Sequence, residues 1–338
     1  MNPDDTTYPR LVADIGGTNA RFAWLAAPGG EPAHGRTLPV AEHAGPAEAA
    51  RHYLDGLAET LGTGWQPPRR AALAVATAIT GDEVALTNSH WRFSRRGLQQ
   101  ALGLQALAVL NDFEALALAL PHLGDAQLRR HPRPVWGAPA QAPVGTVLAV
   151  VGPGTGLGVG AVVRSAAGWM ALPGEGGHVT LAATTALEAA VIAVVQREYP
   201  HVSAERLLSG SGLPLLQSAL ATVQGRELPA DGGIDAARIV HAAEEQGDAL
   251  AIDTLSLFCA LLGSFAGNVV LTLGARGGLY IGGGVLPRLA GRFFASEFRS
   301  RFEAKGRLAG YLAAVPSALI TDTHAALLGA AHAFDNGG

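Results

Sequence analysis

Short, nearly unbroken apolar runs that stop at glycine pairs fill the first third of the chain, alternating with segments whose apolar positions recur every three or four residues. The runs at 11–15 and 21–26, with a weaker one at 36–40, predict a meander of strands; runs buried on both faces lose the usual apolar–polar alternation. Residues 46–61 have helical spacing, 71–79 read as a buried strand, and 83–87 as a short strand before the polar TNSHW turn. A helix is expected over 94–102 with Ser94 as its N-cap, then a buried strand at 107–110 that ends at Asn111 and Asp112, then a helix over about 113–120. Residues 121–145, rich in Pro, Gly and Arg, show no period and predict a surface loop or linker. From 147 the pattern restarts as strand, glycine turn, strand 159–164, strand 169–172 and a long helical region from 186 onward. A strand that runs into a glycine-rich turn therefore opens each half. Two copies of one domain plan, or two unrelated tight hairpins, account for it.

Composition narrows the classes. With 338 residues, 49% of them apolar, the chain can build about two domains of ordinary size. A net charge of −4 argues against a general nucleic-acid or membrane-surface binder and favours a small partner. Cys259 is the only cysteine, so neither an intrachain disulfide nor a zinc site built on several thiolates is available, and a reducing cytoplasm is the simplest setting. The N-terminal MNPDDTTYPR lacks the apolar core of a secretory signal, and the apolar stretch at 260–273 is broken by Gly, Ser and Asn, so no membrane span is expected. Lys305 is the only lysine among 24 basic residues, which excludes both the P-loop signature and the lysine that a protein kinase needs on its third strand. A phosphate bound here must meet backbone amides, magnesium or arginine.

Several residues carry chemistry. In LVADIGGTNARFAW, Asp14 stands at the mouth of a Gly16–Gly17 turn that can aim successive N–H groups at an anion, with a carboxylate placed to meet its magnesium; an ordinary hairpin turn has the same pattern. A second glycine turn, GPGTGLGVG at 152–160, and a third, Gly282–Gly283–Gly284, each follow an apolar run. Asn111 and Asp112 lie at the C-terminal end of a buried strand, where open α/β sheets place ligands, and Asp112 is read either as a helix cap or as a carboxylate that takes a proton from a hydroxyl nucleophile. In PGEGGHV, Glu175 and His178 among glycines can grip vicinal sugar hydroxyls, face water as a plain turn, or contribute to a metal site that lacks an obvious third ligand. Glu205, in HVSAERLLSGSGL, reads from spacing as an exposed helix residue. Gly263 and Gly267, four apart, read as a close helix contact.

These motifs, together with TGDEVALTNSHWRFS, LNDFEA and IGGGVLPR and in this order, resemble the bacterial glucokinases of the proteobacterial type, within the superfamily of sugar kinases, actin and chaperone ATPases. The pairing of PGEGGH with HVSAER narrows the likeness to that family. The resemblance implies an α/β fold of two ribonuclease-H-like, actin-like ATPase domains flanking an interdomain cleft, the small one over 1–120 plus about 315–338 and the large one over 121–314. It implies phosphorylation of glucose by ATP, with Asp112 as general base on the 6-hydroxyl. Asn111, Glu175, His178 and Glu205 would bind the other hydroxyls. Gly16, Gly17, Thr18 and Asn19 would hold the terminal phosphates with Asp14 positioning Mg2+ directly or through water, Gly154, Thr155 and Gly156 would meet the nucleotide from the other domain, and Gly282, Gly283 and Gly284 would border the adenosine. No zinc is expected, since the cysteine-rich motif of the related repressor and kinase branch is absent. A cytoplasmic homodimer with glucose and ATP as its partners, and neither nucleic acid nor membrane, completes the expectation.

Three rivals are open. A kinase for an N-acetylated amino sugar would share the motifs. A non-catalytic sugar-sensing regulator would carry a DNA-binding segment for which the ten residues ahead of the first strand leave no room, and an actin-like filament protein would not need PGEGGH or HVSAER.

Overall fold

The computed structural model describes residues 7–335 except 133, 135, 138 and 229–234. Strands β1 (Arg10–Ile15), β2 (Asn19–Leu25) and β3 (Ala33–Pro39) form the meander; helix α1 (Pro46–Leu61) and strand β4 (Arg70–Val75) follow. A small hairpin, β5 (Glu83–Ala85) and β6 (Arg92–Ser94), leads into α2 (Arg95–Ala101), β7 (Ala106–Asn111) and α3 (Asp112–Ala119). Next come β8 (Leu128–Arg130), β9 (Val147–Pro153), β10 (Leu157–Arg164) and β11 (Trp169–Leu172), then α4 (Ala186–Val195), α5 (Ala204–Leu207), α6 (Leu213–Gln224), α7 (Ala236–Glu244) and the long α8 (Ala249–Leu273). The chain finishes with β12 (Gly278–Ile281), α9 (Ala290–Ala295), α10 (Phe298–Glu303), α11 (Ala309–Ala313), β13 (Ser317–Ile320) and α12 (Ala325–Ala331). This is an α/β fold with mixed sheets.

The chain divides into two compact units, one of 1–123, 165–173 and 323–338 and the other of 124–164 and 174–322. The first differs from the expected small domain in two places. Residues 165–173 belong to it, because β11 lies against α3, and β13 does not, because it pairs in parallel with β12 in the other unit.

In the first unit the strand order is β3-β2-β1-β4-β7, with β1, β4 and β7 parallel and β2 and β3 antiparallel to their neighbours. Alternation sends Leu11, Ala13 and Ile15 to one face, where they meet Phe22, Trp24, Tyr53, Leu73 and Trp91, and Val12 to the other, where it meets Ala72, Leu327 and Ala330 of α12. Both faces of β1 are covered, which is why its sequence is apolar throughout. Ser94 caps α2 as expected, its Oγ accepting the Gly97 N–H at 3.0 Å. The cap of α3 is Asn111, one residue earlier than the sequence suggested, so that Asp112 is the first helical residue.

In the second unit the order runs β10-β9-β12-β13-β8, with β9, β12 and β13 parallel. The edge strand β8 lies inside the stretch that the sequence left as a loop. Only Leu128 of it is buried, so no apolar period marked it. Helix α8 has the length and composition of a bilayer span, yet 78% of its most apolar window is buried inside the protein, as befits a core helix. Its Gly263 and Gly267 take the close approach of α10: a Cβ at Gly263 would lie 2.2 Å from the Phe298 carbonyl oxygen. Lys305 closes this contact by donating to the Ser264 carbonyl oxygen at 2.8 Å and to Asn268 Oδ1 at 2.7 Å.

Helix α12 holds α3 by a similar approach, since a Cβ on Gly329 would lie 1.6 Å from the Ala115 carbonyl oxygen. Gly329→Ala is therefore expected to destabilise the protein by at least about 1–3 kcal/mol through overpacking. Gly310→Ala, inside α11 where an added Cβ meets nothing within 4 Å, should be neutral or stabilising by about 0.5–1 kcal/mol. Thermal melting of the two variants checks the contrast, and equal melting temperatures would refute the close contact.

Candidate active site

Within the first unit, β1, β4 and β7 end level, Ile15 beside Val75 and Val75 beside Asn111, so the turns that leave them share one edge of the sheet. The turn after β1 is drawn tight by the Gly16 N–H donating to the Asn19 carbonyl at 2.9 Å, and the Thr18 carbonyl accepts the Val40 N–H at 2.9 Å. Among the described residues the amides of Gly17 and Thr18 have no backbone acceptor, which leaves them for an anion. Asp14, one residue inside β1, lies 3.4 Å from Arg21 on β2. Burial holds its carboxyl above the usual range, against the opposing pull of Arg21 and His324.

Asn111 is held at both ends of its amide. Its Oδ1 accepts the Phe113 N–H at 2.9 Å and its Nδ2 donates to the Thr77 carbonyl at 3.2 Å. Asp112 Oδ1 also accepts the Phe113 N–H, at 3.0 Å, so the first turn of α3 orients the carboxylate. Glu114, in the same first turn, accepts the Asn111 N–H, and burial raises its carboxyl above the ordinary range.

Within the second unit, Ile281 at the end of β12 lies beside Val151, two residues before the end of β9, and both strands run into glycine turns. The Gly282 N–H donates to Val151 and the Val285 N–H to Pro153, at 2.9 and 3.2 Å, which lays the third glycine turn against the second. The loop of Glu175 and His178 crosses β10 so closely that a Cβ on Gly177 would lie 1.9 Å from the Leu157 carbonyl. Backbone bonds from Ala204 to Val179 (2.8 Å) and from Leu181 to Val202 (3.0 Å) then bring this loop beside α5. His178 stands between two carboxylates, its Nδ1 3.6 Å from Glu175 Oε2 and its Nε2 3.6 Å from Glu205 Oε1. Glu205 Oε2 accepts the Leu157 N–H at 2.9 Å, at the end of the Gly154–Thr155–Gly156 turn.

So Glu205 is no ordinary exposed helix residue: it joins the carboxylate–imidazole pair to the second glycine turn. Two carboxylates and an imidazole in this array offer acceptors and donors for adjacent hydroxyls, beside a turn whose amides suit phosphate. Sequence reading missed His324 and Arg21, the groups whose charge acts on Asp14; His324 reaches it only because α12 packs on β1. It also missed Thr77, which fixes Asn111. Among the described residues no three His, Cys, Asp or Glu side chains are placed to hold one metal ion together. A lone carboxylate such as Asp14 fits magnesium, which keeps several waters and takes other oxygens from phosphate.

A glucokinase family profile matches residues 11–337. The chain is 47% identical to a glucokinase of Aromatoleum aromaticum over 98% of its length and 96% of that protein's, and 46% identical to a glucokinase of Chromobacterium violaceum over 97% and 90%. Its fold is similar to the crystal structure of a glucokinase from an Antarctic psychrotroph, with a TM-score of 0.84 at 40% identity, over 96% of this chain and 97% of that one.

The bond from Leu157 to Glu205 generates a direct test. In Glu205→Ala the Leu157 N–H loses a charged acceptor, a bond of about 1.5–3 kcal/mol, and its hydrogen exchange should quicken on the order of tenfold to a hundredfold. Unchanged exchange across 154–158 would show that the carboxylate does not hold the turn.

Proposed function

The chain belongs to the glucokinase family, and on that premise we propose how it transfers the terminal phosphoryl group of ATP to the 6-hydroxyl of glucose. The observation that carries the reading is the Glu175–His178–Glu205 array, hydrogen-bonded through Glu205 to a phosphate-type glycine turn. Glu175, His178 and Glu205 grip the hydroxyls toward the anomeric end, and Asn111 takes a neighbouring hydroxyl with the amide hydrogen and lone pair that Thr77 and Phe113 leave it. Asp112 accepts the proton of the 6-hydroxyl as its oxygen attacks phosphorus in line, while the bond from phosphorus to the bridging oxygen breaks and ADP departs. No covalent enzyme intermediate is needed.

Gly16, Gly17, Thr18 and Asn19 form the turn that cradles the terminal phosphates from the first unit. Gly154, Thr155 and Gly156 supply amides from the second, and Gly282, Gly283 and Gly284 border the adenosine. Asp14 would hold magnesium, directly or through water; when bound, the ion neutralises phosphate charge. The finer architecture in this reading is two ribonuclease-H-like domains closing on sugar and ATP, supported in each unit by a strand, β1 or β9, that runs through a glycine turn into an antiparallel neighbour and pairs in parallel on its other side. The reading extends to a cytoplasmic homodimer.

Asp112→Asn keeps the shape and removes the base. Its turnover should fall by at least about a hundredfold while glucose affinity stays close to that of the unaltered protein, a split read from steady-state kinetics and glucose titration. Near-normal turnover would remove Asp112 from the role of base. Glu175→Gln should do the reverse, raising the KM for glucose by more than it lowers kcat; a pure loss of kcat would contradict its place in sugar recognition.

A further inference from the structure

The segment Ser209–Gly212, which the reading above does not use, straps the second glycine turn from behind. Ser211 Oγ donates to the Thr155 carbonyl at 2.8 Å, and the Gly210 N–H donates to the Gly154 carbonyl at 2.7 Å. Ser211 is itself held by Ser209, whose Oγ lies 3.1 Å from Ser211 Oγ and accepts the Gly212 N–H at 3.0 Å. In a trans peptide the carbonyl and the following N–H point in opposite directions. With the carbonyls of Gly154 and Thr155 both tied to the strap, the amides of Thr155 and Gly156 must face the other way, and among the described residues neither has a backbone acceptor. The turn closes on itself through the Gly154 N–H donating to the Gly156 carbonyl at 2.9 Å. Only lysine-free means serve this turn, since the sole lysine is bound to Ser264 and Asn268 on α8.

We infer that Ser211 is a positioning residue that presets the amides of Thr155 and Gly156 for a nucleotide phosphate before the nucleotide arrives. The inference deepens the proposed function and rests on it. Preorganisation of this kind lowers the ordering cost of binding, so its loss falls on the nucleotide and spares the sugar, whose ligand Glu205 meets the turn at the Leu157 amide, beyond the two carbonyls that the strap holds.

The test is titration of the full chain with magnesium-ADP and, separately, with glucose, in the unaltered protein and in Ser211→Ala, Ser211→Thr and Gly210→Ala. Ser211 is exposed, so its truncation should leave folding intact. Gly210→Ala sets a Cβ 3.0 Å from the Gly154 carbonyl oxygen and perturbs the same strap by a separate route. Ser211→Ala and Gly210→Ala should each bind ADP about three- to tenfold more weakly with glucose affinity unchanged, while Ser211→Thr, which keeps the hydroxyl, behaves as the unaltered protein. Undiminished ADP affinity in Ser211→Ala overturns the inference, as does a matching loss of glucose and ADP affinity with a lowered melting temperature, the mark of a structural role. An unaltered protein that binds glucose and not ADP would sink the proposed function itself.

Discussion

One carboxylate with two commitments organises the second unit. Glu205 gives one oxygen to the Leu157 amide and turns the other toward His178, so the piece of backbone that starts β10 and the carboxylate–imidazole array are fixed by the same side chain. Everything around it is shaped to permit that bond. Ser203 caps a helix of a single turn, which delivers the carboxylate one residue pair later, and the glycines of the facing segments let three backbones converge where side chains would collide. The carboxylate–imidazole array and the second glycine turn therefore meet at one side chain.

The same economy governs charge. A chain with one lysine cannot clamp a triphosphate by the usual cationic residue, and that lysine is spent on helix packing between α8 and the segment after α10. In the proposed reading its place is taken by preoriented amide dipoles in the glycine turns that follow β1 and β9, with magnesium beside them. Such dipoles act only if the turn is rigid. The straps, caps and close glycine contacts supply that rigidity.

Much of this was legible in the sequence, and what was not has a common cause. The apolar runs, the glycine turns after them and the cap at Ser94 are local signals and appear in the structure within a few residues of their expected places. The edge strand β8 was missed because a strand of three residues with one buried position has no period to detect. Glu205 looked like a solvent-facing helix residue because its partner amide is 48 residues away. His324 gave no signal at all, since its relation to Asp14 exists only through the packing of α12 on β1. The displaced cap at Asn111 is a subtler case: either residue of the pair can cap a helix, and the tertiary bond from Asn111 to Thr77 favours the first.

The central claim is that the carboxylate–imidazole array serves glucose in a phosphoryl transfer from ATP. The most direct measurement is sugar-dependent release of ADP from magnesium-ATP by the purified chain, with glucose, mannose, fructose, N-acetylglucosamine and N-acetylmannosamine offered in parallel. The account predicts turnover on glucose well above that on either N-acetylated sugar. Preferred turnover on an N-acetylated sugar, or none on any sugar with ATP bound, would contradict it.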